Sequence, residues 1–305
     1  MASLRVVQPG LLTTVQDCGR WGWQALGVPV AGPMDVWSFR LANWLVGNDS
    51  GAAGLEATVV GPTIRFDDAA VVAVTGGRFD LRCEGRPIPM DEAVAIRAGA
   101  DLSFGAAREG ARGYLAVAGG LDVTPVFGSR ATHLPSRCGG VEGRALRGGD
   151  VLAVLAARGR PRALRARARR PLPREGARLR VLAGPQDDLF TDEARAVFTR
   201  SRYTITPASN RMGYRLNGPA LSHLGSADII SDATTFGTIQ VPKDGQPILL
   251  MADRQTSGGY PKIATVIAAD LGLAAQLGPG AWIEFAWCDM KTALAALIEL
   301  EQVFL

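Results

Sequence analysis

The residues best suited to chemistry lie in one polar stretch of the chain, between residues 240 and 262. An apolar segment, Ile248–Met251, leads into the run ADRQTSGGYPK, which ends at Lys262. A strand of a rigid sheet would deliver this run as a loop at its end, where ligand sites are common. Carboxylate, guanidinium, amide, hydroxyl and ammonium groups together suit a small, polar, amide-like substrate with an anionic partner. The candidate side chains here are Gln240, Asp253, Arg254, Gln255, Thr256, Tyr260 and Lys262.

A second polar cluster occupies residues 210–216, with the sequence NRMGYRL. Arg211 and Arg215 are separated by an even number of residues, so on a strand they point to the same side. Two guanidinium groups on one side suit bidentate recognition of a carboxylate or a phosphate. A solvated strand face explains the same spacing. Asn210 and Arg211 join the candidate site on the first interpretation.

A third cluster lies near the N-terminus, in the run TTVQDCGR that begins at Thr13. Gln16, Asp17 and Arg20 could present a set of acceptors and donors from one loop. The alternative is an ion pair that ties the N-terminal loop down. These three residues are secondary candidates for the site.

Several standard catalytic motifs are absent from the sequence. It contains no GxxxxGK[ST] or GxGxxG phosphate-binding loop, and no GxSxG nucleophile elbow. The only histidines are His133 and His223, and the four cysteines are at least 55 residues apart, so no metal site is expected. None of the three lysines lies in the AMKM context of a biotin or lipoyl arm. The sequence therefore favours a subunit or binding module over a self-sufficient enzyme.

The composition is that of a globular protein. Of 305 residues, 47% are hydrophobic and 20% charged, which is enough apolar material for a sizeable core. No apolar run is long enough to span a bilayer, and the N-terminus lacks the apolar stretch of a signal peptide. We expect a cytoplasmic protein with no membrane or nucleic-acid partner.

Charge divides the sequence into two halves. Ten arginines lie between Arg158 and Arg180 against the single acid Glu175, so the rest of the chain is net acidic although its total charge is +4. Three prolines in this run oppose a continuous helix. We expect an N-terminal β-rich half (1–157), a solvated arginine- and proline-rich connector (158–177), and a C-terminal β-rich half (178–305) with the polar site loop and a terminal helix.

Short β-type runs bounded by glycine, proline or aspartate dominate both halves. Helices are expected over Met34–Val46, Asp187–Phe198 and Ile263–Leu273, with Asp289 capping a final helix. In four places a glycine is followed by apolar residues three and five positions later, as in a turn that leads into a strand. The fold class predicted is mainly β (α+β), with barrel-like sheets and a few flanking helices. The four glycines of this signature are Gly61, Gly99, Gly149 and Gly280.

The same motifs resemble those of the allophanate-hydrolase-subunit-2-like family. The resemblance rests on the runs PGLLTTVQDCGR, NRMGYRL, GTIQVP and DRQTSGGYP, and it covers nearly the whole chain apart from the connector. The family includes the C subunit of bacterial ATP-dependent 5-oxoprolinase, the KipA antagonist of a sporulation kinase inhibitor, and part of the carboxyltransferase region of urea carboxylase. It implies a cyclophilin-like β-barrel architecture.

The resemblance also implies an activity that depends on other chains. The first expectation is the C subunit of an ATP-dependent 5-oxoprolinase, which opens the lactam of 5-oxo-L-proline to L-glutamate together with a KipI-like B subunit and a LamB/YcsF-like third component, the A subunit. This chain would bind no cofactor alone, and the complex would use ATP. The alternatives are a carboxyltransferase for urea or another amide, which receives carboxyl from biotin on another protein, and a non-catalytic KipA-like regulator that binds a KipI-like inhibitor.

On the 5-oxoprolinase interpretation, cations stabilise the negative charge that develops on oxygen during the reaction. The candidates for this role are Arg211, Arg254 and Lys262. Asp253 would orient Arg254 or act on a proton. The amides of Asn210, Gln240 and Gln255 would position the substrate, and Thr256 and Tyr260 would contribute to its binding.

Overall fold

The computed structural model describes residues 2–163 and 170–304, and they fall into two compact units. The first unit is built from Met1–Arg20 and Ala31–Leu172, and the second from Trp21–Val30 and Pro173–Val303. The composition predicts two halves that follow each other along the chain. In the structure, Trp21–Val30 belongs to the second unit although it lies within the first half of the sequence. No helix in the described part of the chain is long and apolar enough to cross a membrane.

Among its described residues, the first unit contains two antiparallel sheets and one α-helix, α1 (Val36–Leu45). Its strands are β1 (Ser3–Gln8), β2 (Leu12–Gln16), β3 (Gly54–Thr58), β4 (Thr63–Phe66), β5 (Ala70–Phe79), β6 (Arg82–Cys83), β7 (Arg86–Pro87), β8 (Ala93–Ile96), β9 (Asp101–Ser103), β10 (Ala107–Val117), β11 (Leu121–Asp122) and β12 (Val151–Val154). One sheet has the order β11-β12-β1-β4-β9-β6-β7, and the other β2-β3-β10-β5-β8. Alternate residues of both sheets enter one shared apolar core, as the pleat of a strand requires.

The second unit contains a closed seven-stranded barrel and three α-helices among its described residues. Its strands are β13 (Gly176–Ala183), β14 (Arg202–Ile205), β15 (Gly213–Asn217), β16 (Asp232–Ala233), β17 (Thr238–Gln240), β18 (Ile248–Leu250), β19 (Ser257–Gly258), β20 (Lys262–Val266) and β21 (Trp282–Trp287). The helices are α2 (Asp192–Arg200), α3 (Ala268–Ala275) and α4 (Met290–Glu301). The barrel order is β13-β20-β17-β18-β15-β14-β21, and β21 closes it by pairing parallel to β13. The mainly β fold with a barrel and a few helices is confirmed, although closure is seen in the second unit while the first forms two sheets.

The glycine signature marks strand starts in both units. Gly61, Gly99, Gly149 and Gly280 lead into β4, β9, β12 and β21, and the apolar residues three and five positions later are all buried. Three of the four glycines have positive φ angles of 79°, 93° and 90°, which side-chain-bearing residues rarely adopt. The pattern therefore predicts both the turn at the glycine and which residues of the following strand face the core.

Two of the predicted helices have different limits in the structure. Residues 263–266 belong to β20, where Ile263, Ala264 and Val266 are buried in the barrel, and α3 begins only at Ala268. A short, uniformly apolar run does not distinguish a buried strand from a buried helix. The helix predicted from Asp187 is a 3-10 turn followed by α2, which Thr191 caps by accepting a hydrogen bond from the Ala194 N–H.

The predicted connector, residues 158–177, is only partly described, since residues 164–169 lie outside the described residues. Before that gap, the Arg162 N–H donates to the Leu45 carbonyl over 2.8 Å, at the end of α1. A Cβ added to Gly47 would overlap the Arg160 carbonyl oxygen, so the two backbones are in close contact. After the gap, β13 already begins at Gly176. The described part of the run therefore packs through its backbone, although its arginine side chains before the gap are exposed as expected.

Candidate functional site

Three neighbouring barrel strands present the polar loop, which we call the site loop (residues 251–261). β17 pairs with β18 on one side and with β20 on the other. The site loop joins β18 to β20 and so crosses the end of β17. Gln240 at that end is opposite Lys262, next to a shift in register that re-aims side chains locally.

Arg211 and Asp253 form a buried, bidentate ion pair. Arg211 Nε and Nη2 donate to the two carboxylate oxygens of Asp253 over 3.0 and 2.9 Å, and the side chains are only 6% and 1% exposed. The Asp253 N–H also donates to the Arg211 carbonyl over 2.8 Å. Arg211 precedes β15 rather than lying on it, and Arg215 on that strand is exposed, so the expectation that the two arginines share one face is wrong. Asp253 orients Arg211, not Arg254.

Lys262 is held between a carboxylate and an amide. Its Nζ donates to Asp232 over 3.1 Å and lies 3.5 Å from the Gln186 side-chain oxygen. The lysine side chain is 3% exposed, whereas that of Asp232 is 52% exposed. The hydrogen bond from Lys262 is the main cause that lowers the pKa of the Asp232 carboxyl below its ordinary value. The ammonium is therefore fixed in position, and its counter-charge faces solvent.

Two side-chain amides lie beneath the site loop. Gln255 donates through Nε2 to the Gln240 side-chain oxygen over 3.2 Å, and Gln240 Nε2 donates to the Tyr260 carbonyl over 3.4 Å. A Cβ added to Gly258 would lie 2.5 Å from Gln240 Nε2, so only glycine leaves the amide in this place. The glycine is required here for close approach.

Arg254 has a different environment from the other cations. Its side chain is buried, its Nε has no hydrogen-bond partner, and its guanidinium carbon lies 5.8 Å from the centre of the Phe236 ring. Burial lowers the pKa of Arg254 to about 10. No carboxylate within residues 2–163 and 170–304 forms an ion pair with it.

A second segment, residues 229–236, covers the site loop. β16 in this segment pairs with β19 in the site loop, and the Ile229 N–H donates to the Gly259 carbonyl over 2.9 Å. The Thr234 hydroxyl donates to the Gln255 carbonyl over 2.5 Å, and its N–H to the Thr256 carbonyl over 3.0 Å. These contacts hold the backbone on both sides of the two amides.

The remaining candidates are scattered. Asn210 is exposed, and its side-chain oxygen accepts from the Met212 N–H over 2.8 Å, which is a turn role before β15. Thr256 contributes its carbonyl to the covering segment, and the Tyr260 side chain is 40% exposed. The site loop and the first residue of β20 thus bring together Asp253, Gln255 and Lys262 with their partners, whereas Asn210 lies outside the cluster.

The secondary candidates belong to the first unit, where they fasten a loop. Asp17 accepts from the Ser129 hydroxyl over 2.6 Å and from the Arg130 N–H over 2.5 Å. Arg20 is almost fully buried and donates to the Ala131 carbonyl. Gln16 donates to the Thr132 carbonyl over 3.2 Å. The three residues do tie the N-terminal loop down, but through the 129–132 backbone and Ser129 rather than through an ion pair between Asp17 and Arg20.

Sequence reasoning missed the partners of the site residues. Asp232 and Phe236 lie in a polar run before β17, and Gln186 follows β13 in a turn. Gln186 could have been found from the sequence, because it lies in a loop directly after a predicted strand, where ligand sites are common. Nothing in the spacing of Asp232 connects it to Lys262, because the contact depends on the pairing of β16 with β19. Within the described residues, no group of three or more histidine, cysteine, aspartate or glutamate side chains could hold a metal ion.

Comparison with known proteins identifies the family. Residues 26–287 match the family described as carboxyltransferase domain, subdomain A and B. The chain belongs to this family. The matched region includes the site loop, the covering segment and the strands that position them, and the resemblance read from the motifs is confirmed.

Two curated relatives within this family match along almost their whole length. The 5-oxoprolinase C subunit of Escherichia coli (strain K12) is 38% identical over 99% of this chain and 96% of that protein. The protein of the same name from Haemophilus influenzae is 35% identical over 96% of this chain and 93% of its own length.

A solved structure of a larger enzyme contains the same carboxyltransferase fold. The crystal structure of the K. lactis urea amidolyase superposes with a TM-score of 0.95 at 32% identity, over 99% of this chain. This chain spans only 20% of that enzyme. The same fold therefore occurs both in a chain of this size and within a much longer one.

Proposed function

We propose that this chain is the C subunit of an ATP-dependent 5-oxoprolinase that converts 5-oxo-L-proline to L-glutamate. The observation that carries the proposal is the end-to-end match with a 5-oxoprolinase C subunit, at 38% identity over 99% of this chain and 96% of the relative. The match with the urea amidolyase covers 99% of this chain but only 20% of that enzyme.

The reaction requires an activated amide. Transfer of the γ-phosphoryl group of ATP to the lactam oxygen breaks the terminal phosphoanhydride bond and releases ADP. Attack by one water on the activated carbon, with loss of the ring nitrogen as an amine, opens the ring to an acyl phosphate. A second water then releases phosphate and leaves glutamate. Negative charge develops on oxygen in these steps, so fixed cations and amide donors aid them.

The residues of the site divide between the chemistry and the scaffold. We assign Lys262 to stabilising the developing charge, since Asp232 and Gln186 hold its ammonium in place. Gln240 and Gln255 form an amide pair complementary to a lactam, which also offers one N–H and one carbonyl. Arg211 and Asp253 bind each other through two buried hydrogen bonds, and we assign this pair to holding the site loop.

The partners follow from the same proposal. This sequence has no phosphate-binding loop of the standard kinds, so we place the ATP-binding groups on other chains, a KipI-like B subunit and a LamB/YcsF-like third component. No disulfide joins the four cysteines within the described residues, which suits a reducing cytoplasm.

Reconstitution tests the function. The purified chain is expected to show neither ATP hydrolysis nor 5-oxoproline hydrolysis, whereas co-purification with both partner subunits should give ATP hydrolysis that depends on 5-oxo-L-proline, with one glutamate formed per ADP. Robust turnover by the lone chain, free of other subunits, would contradict the proposal. So would an assembled complex whose ATP hydrolysis does not respond to 5-oxoproline.

The second candidate is carboxyl transfer from biotin to an amide. It is favoured by the family description and by the TM-score of 0.95 with the urea amidolyase. The two functions separate in one assay, because carboxyl transfer consumes bicarbonate and is blocked by avidin, whereas hydrolysis of 5-oxoproline is indifferent to both.

A further inference from the structure

We propose that Arg254 is the receptor for an oxyanion of the substrate, and that it makes the site selective for anionic amides. The identification of the anion as 5-oxo-L-proline rests on the proposed function. The binding of an oxyanion by Arg254 does not depend on it. The group recognised is a carboxylate or a phosphoryl group, each of which offers two oxygens to one guanidinium.

The cationic side chains of the site are not equally compensated by carboxylates. Three cationic side chains lie on or beside the site loop, and two of them have a carboxylate partner within the protein. Arg211 pairs with Asp253, and Lys262 with Asp232. Among the described residues, Arg254 has no such partner, so the protein leaves one positive charge uncompensated here.

Burying the Arg254 charge without a carboxylate partner costs free energy. A buried charge is unfavourable unless it is paired and hydrogen-bonded. The exposed fraction of Arg254 is only 7%, its Nε makes no hydrogen bond, and the Phe236 ring at 5.8 Å offsets part of the cost. With a pKa of about 10, the guanidinium remains charged at neutral pH. A bound anion would supply the missing counter-charge.

The main chain at Arg254 is held in place in the absence of a ligand. Its N–H donates to the Met251 carbonyl over 3.2 Å, and the preceding Asp253 is fixed by Arg211. The following Gln255 is fixed through its carbonyl by Thr234. The main chain on both sides of Arg254 is therefore fixed, so little loop freedom is lost on binding, and the planar guanidinium imposes a direction on its ligand.

The arrangement matches the two ends of a cyclic amino acid. A lactam ring matches the amide pair of Gln240 and Gln255, and the carboxylate attached to that ring in 5-oxo-L-proline matches the Arg254 guanidinium. A neutral lactam such as pyrrolidin-2-one offers the first contact and not the second. Selectivity for an acid over its neutral analogue is therefore expected.

Binding to the full chain tests the oxyanion site without any catalysis. Thermal unfolding is followed in 5-oxo-L-proline, pyrrolidin-2-one or inorganic phosphate, at constant ionic strength, for the wild type, Arg254→Met and the control Arg215→Met, which removes an exposed arginine of the same unit. Saturable stabilisation by 5-oxo-L-proline or phosphate in the wild type and the control, absent in Arg254→Met, supports the proposal. Equal stabilisation of all three proteins, or none in the wild type, overturns it.

Kinetics of the assembled complex distinguish the two oxyanions. If Arg254 binds the substrate carboxylate, Arg254→Met raises KM for 5-oxo-L-proline by roughly 30-fold or more, the change expected on breaking a buried charge pair. If Arg254 binds a phosphoryl group, KM for ATP rises instead, and turnover of pyrrolidin-2-one falls by the same factor as turnover of 5-oxo-L-proline. Arg254→Lys keeps the charge without the fork and should recover only part of the loss. Unchanged KM values in both variants overturn the proposal, whereas anion binding by a complex inactive on 5-oxoproline contradicts only the proposed function.

Discussion

The ion pair between Arg211 and Asp253 makes the sharpest prediction for stability. Asp253→Asn keeps the shape of the side chain but leaves the Arg211 guanidinium buried without its counter-charge. The two side chains are 6% and 1% exposed and share two hydrogen bonds of 2.9 and 3.0 Å, so little solvent can replace the lost partner. Removing one member of such a pair costs about 3–5 kcal/mol. The melting temperature should fall by about 6–20 °C, at about 2–4 °C per kcal/mol for a chain of this size class.

Chemical denaturation followed by circular dichroism measures this cost, and an exposed pair in the same unit provides the control. Arg202 donates to Glu284 over 2.7 Å, but the two side chains are 64% and 30% exposed. Glu284→Gln should therefore cost less than about 1 kcal/mol. The double variant Arg211→Met with Asp253→Leu should return to within about 1 kcal/mol of the wild type, because no charge is left unpaired. An Asp253→Asn loss no larger than that of Glu284→Gln would refute the reasoning.

The double variant also separates a scaffold role from a chemical one. If the pair only holds the site loop, a folded double variant assembled with its partner subunits keeps a measurable part of the activity. If Asp253 moves a proton, the complex is inactive although it is folded. The second result would remove the assignment of Asp253 to the scaffold and leave the stability prediction unaffected.

Two further predictions concern the amides and Lys262. Gly258→Ala should reduce activity of the complex, since its Cβ would lie 2.5 Å from Gln240 Nε2 and displace that amide. The cost in stability should be less than about 1 kcal/mol, because the end of a side chain can move aside. Gly259→Ala, whose nearest contacts would be 3.4 and 3.5 Å, is the control, and equal activities of the two variants would show that Gly258 is not needed for close approach. The carboxyl of Asp232 should titrate in NMR with a pKa below the ordinary value of 3.8, and Lys262→Met should raise it toward that value, since the Ala233 N–H still lowers it. Its contribution to stability is then present above the ordinary carboxyl range and is lost as pH falls through the lowered pKa, so an unchanged Asp232 titration in Lys262→Met would exclude the contact.

The local patterns of the sequence determined much of the fold. Glycine followed by apolar residues three and five positions later predicts a turn and an inward register at once, because side chains of a strand alternate between its two faces. All four occurrences begin buried strands. Asp289 caps α4 as predicted, accepting from the Thr292 N–H over 2.8 Å, because capping involves only residues within one turn. The motifs of the site loop likewise identified the family.

The tertiary structure decided which charges are available for chemistry. Arg211, Arg254 and Lys262 are equivalent candidates in the sequence, yet Arg211 is paired with the buried Asp253, Lys262 with the solvent-facing Asp232, and Arg254 with no described carboxylate. These pairings span 42 and 30 residues of chain. They depend on the pairing of β15 with β18 in the barrel and of β16 with β19 outside it. Strand order and register also made 263–266 a strand, since a buried apolar run satisfies either period until its neighbours are known. Residue type supplies the chemical groups, but burial and pairing determine which of them remain free to meet a substrate, because both arise from contacts distant in sequence.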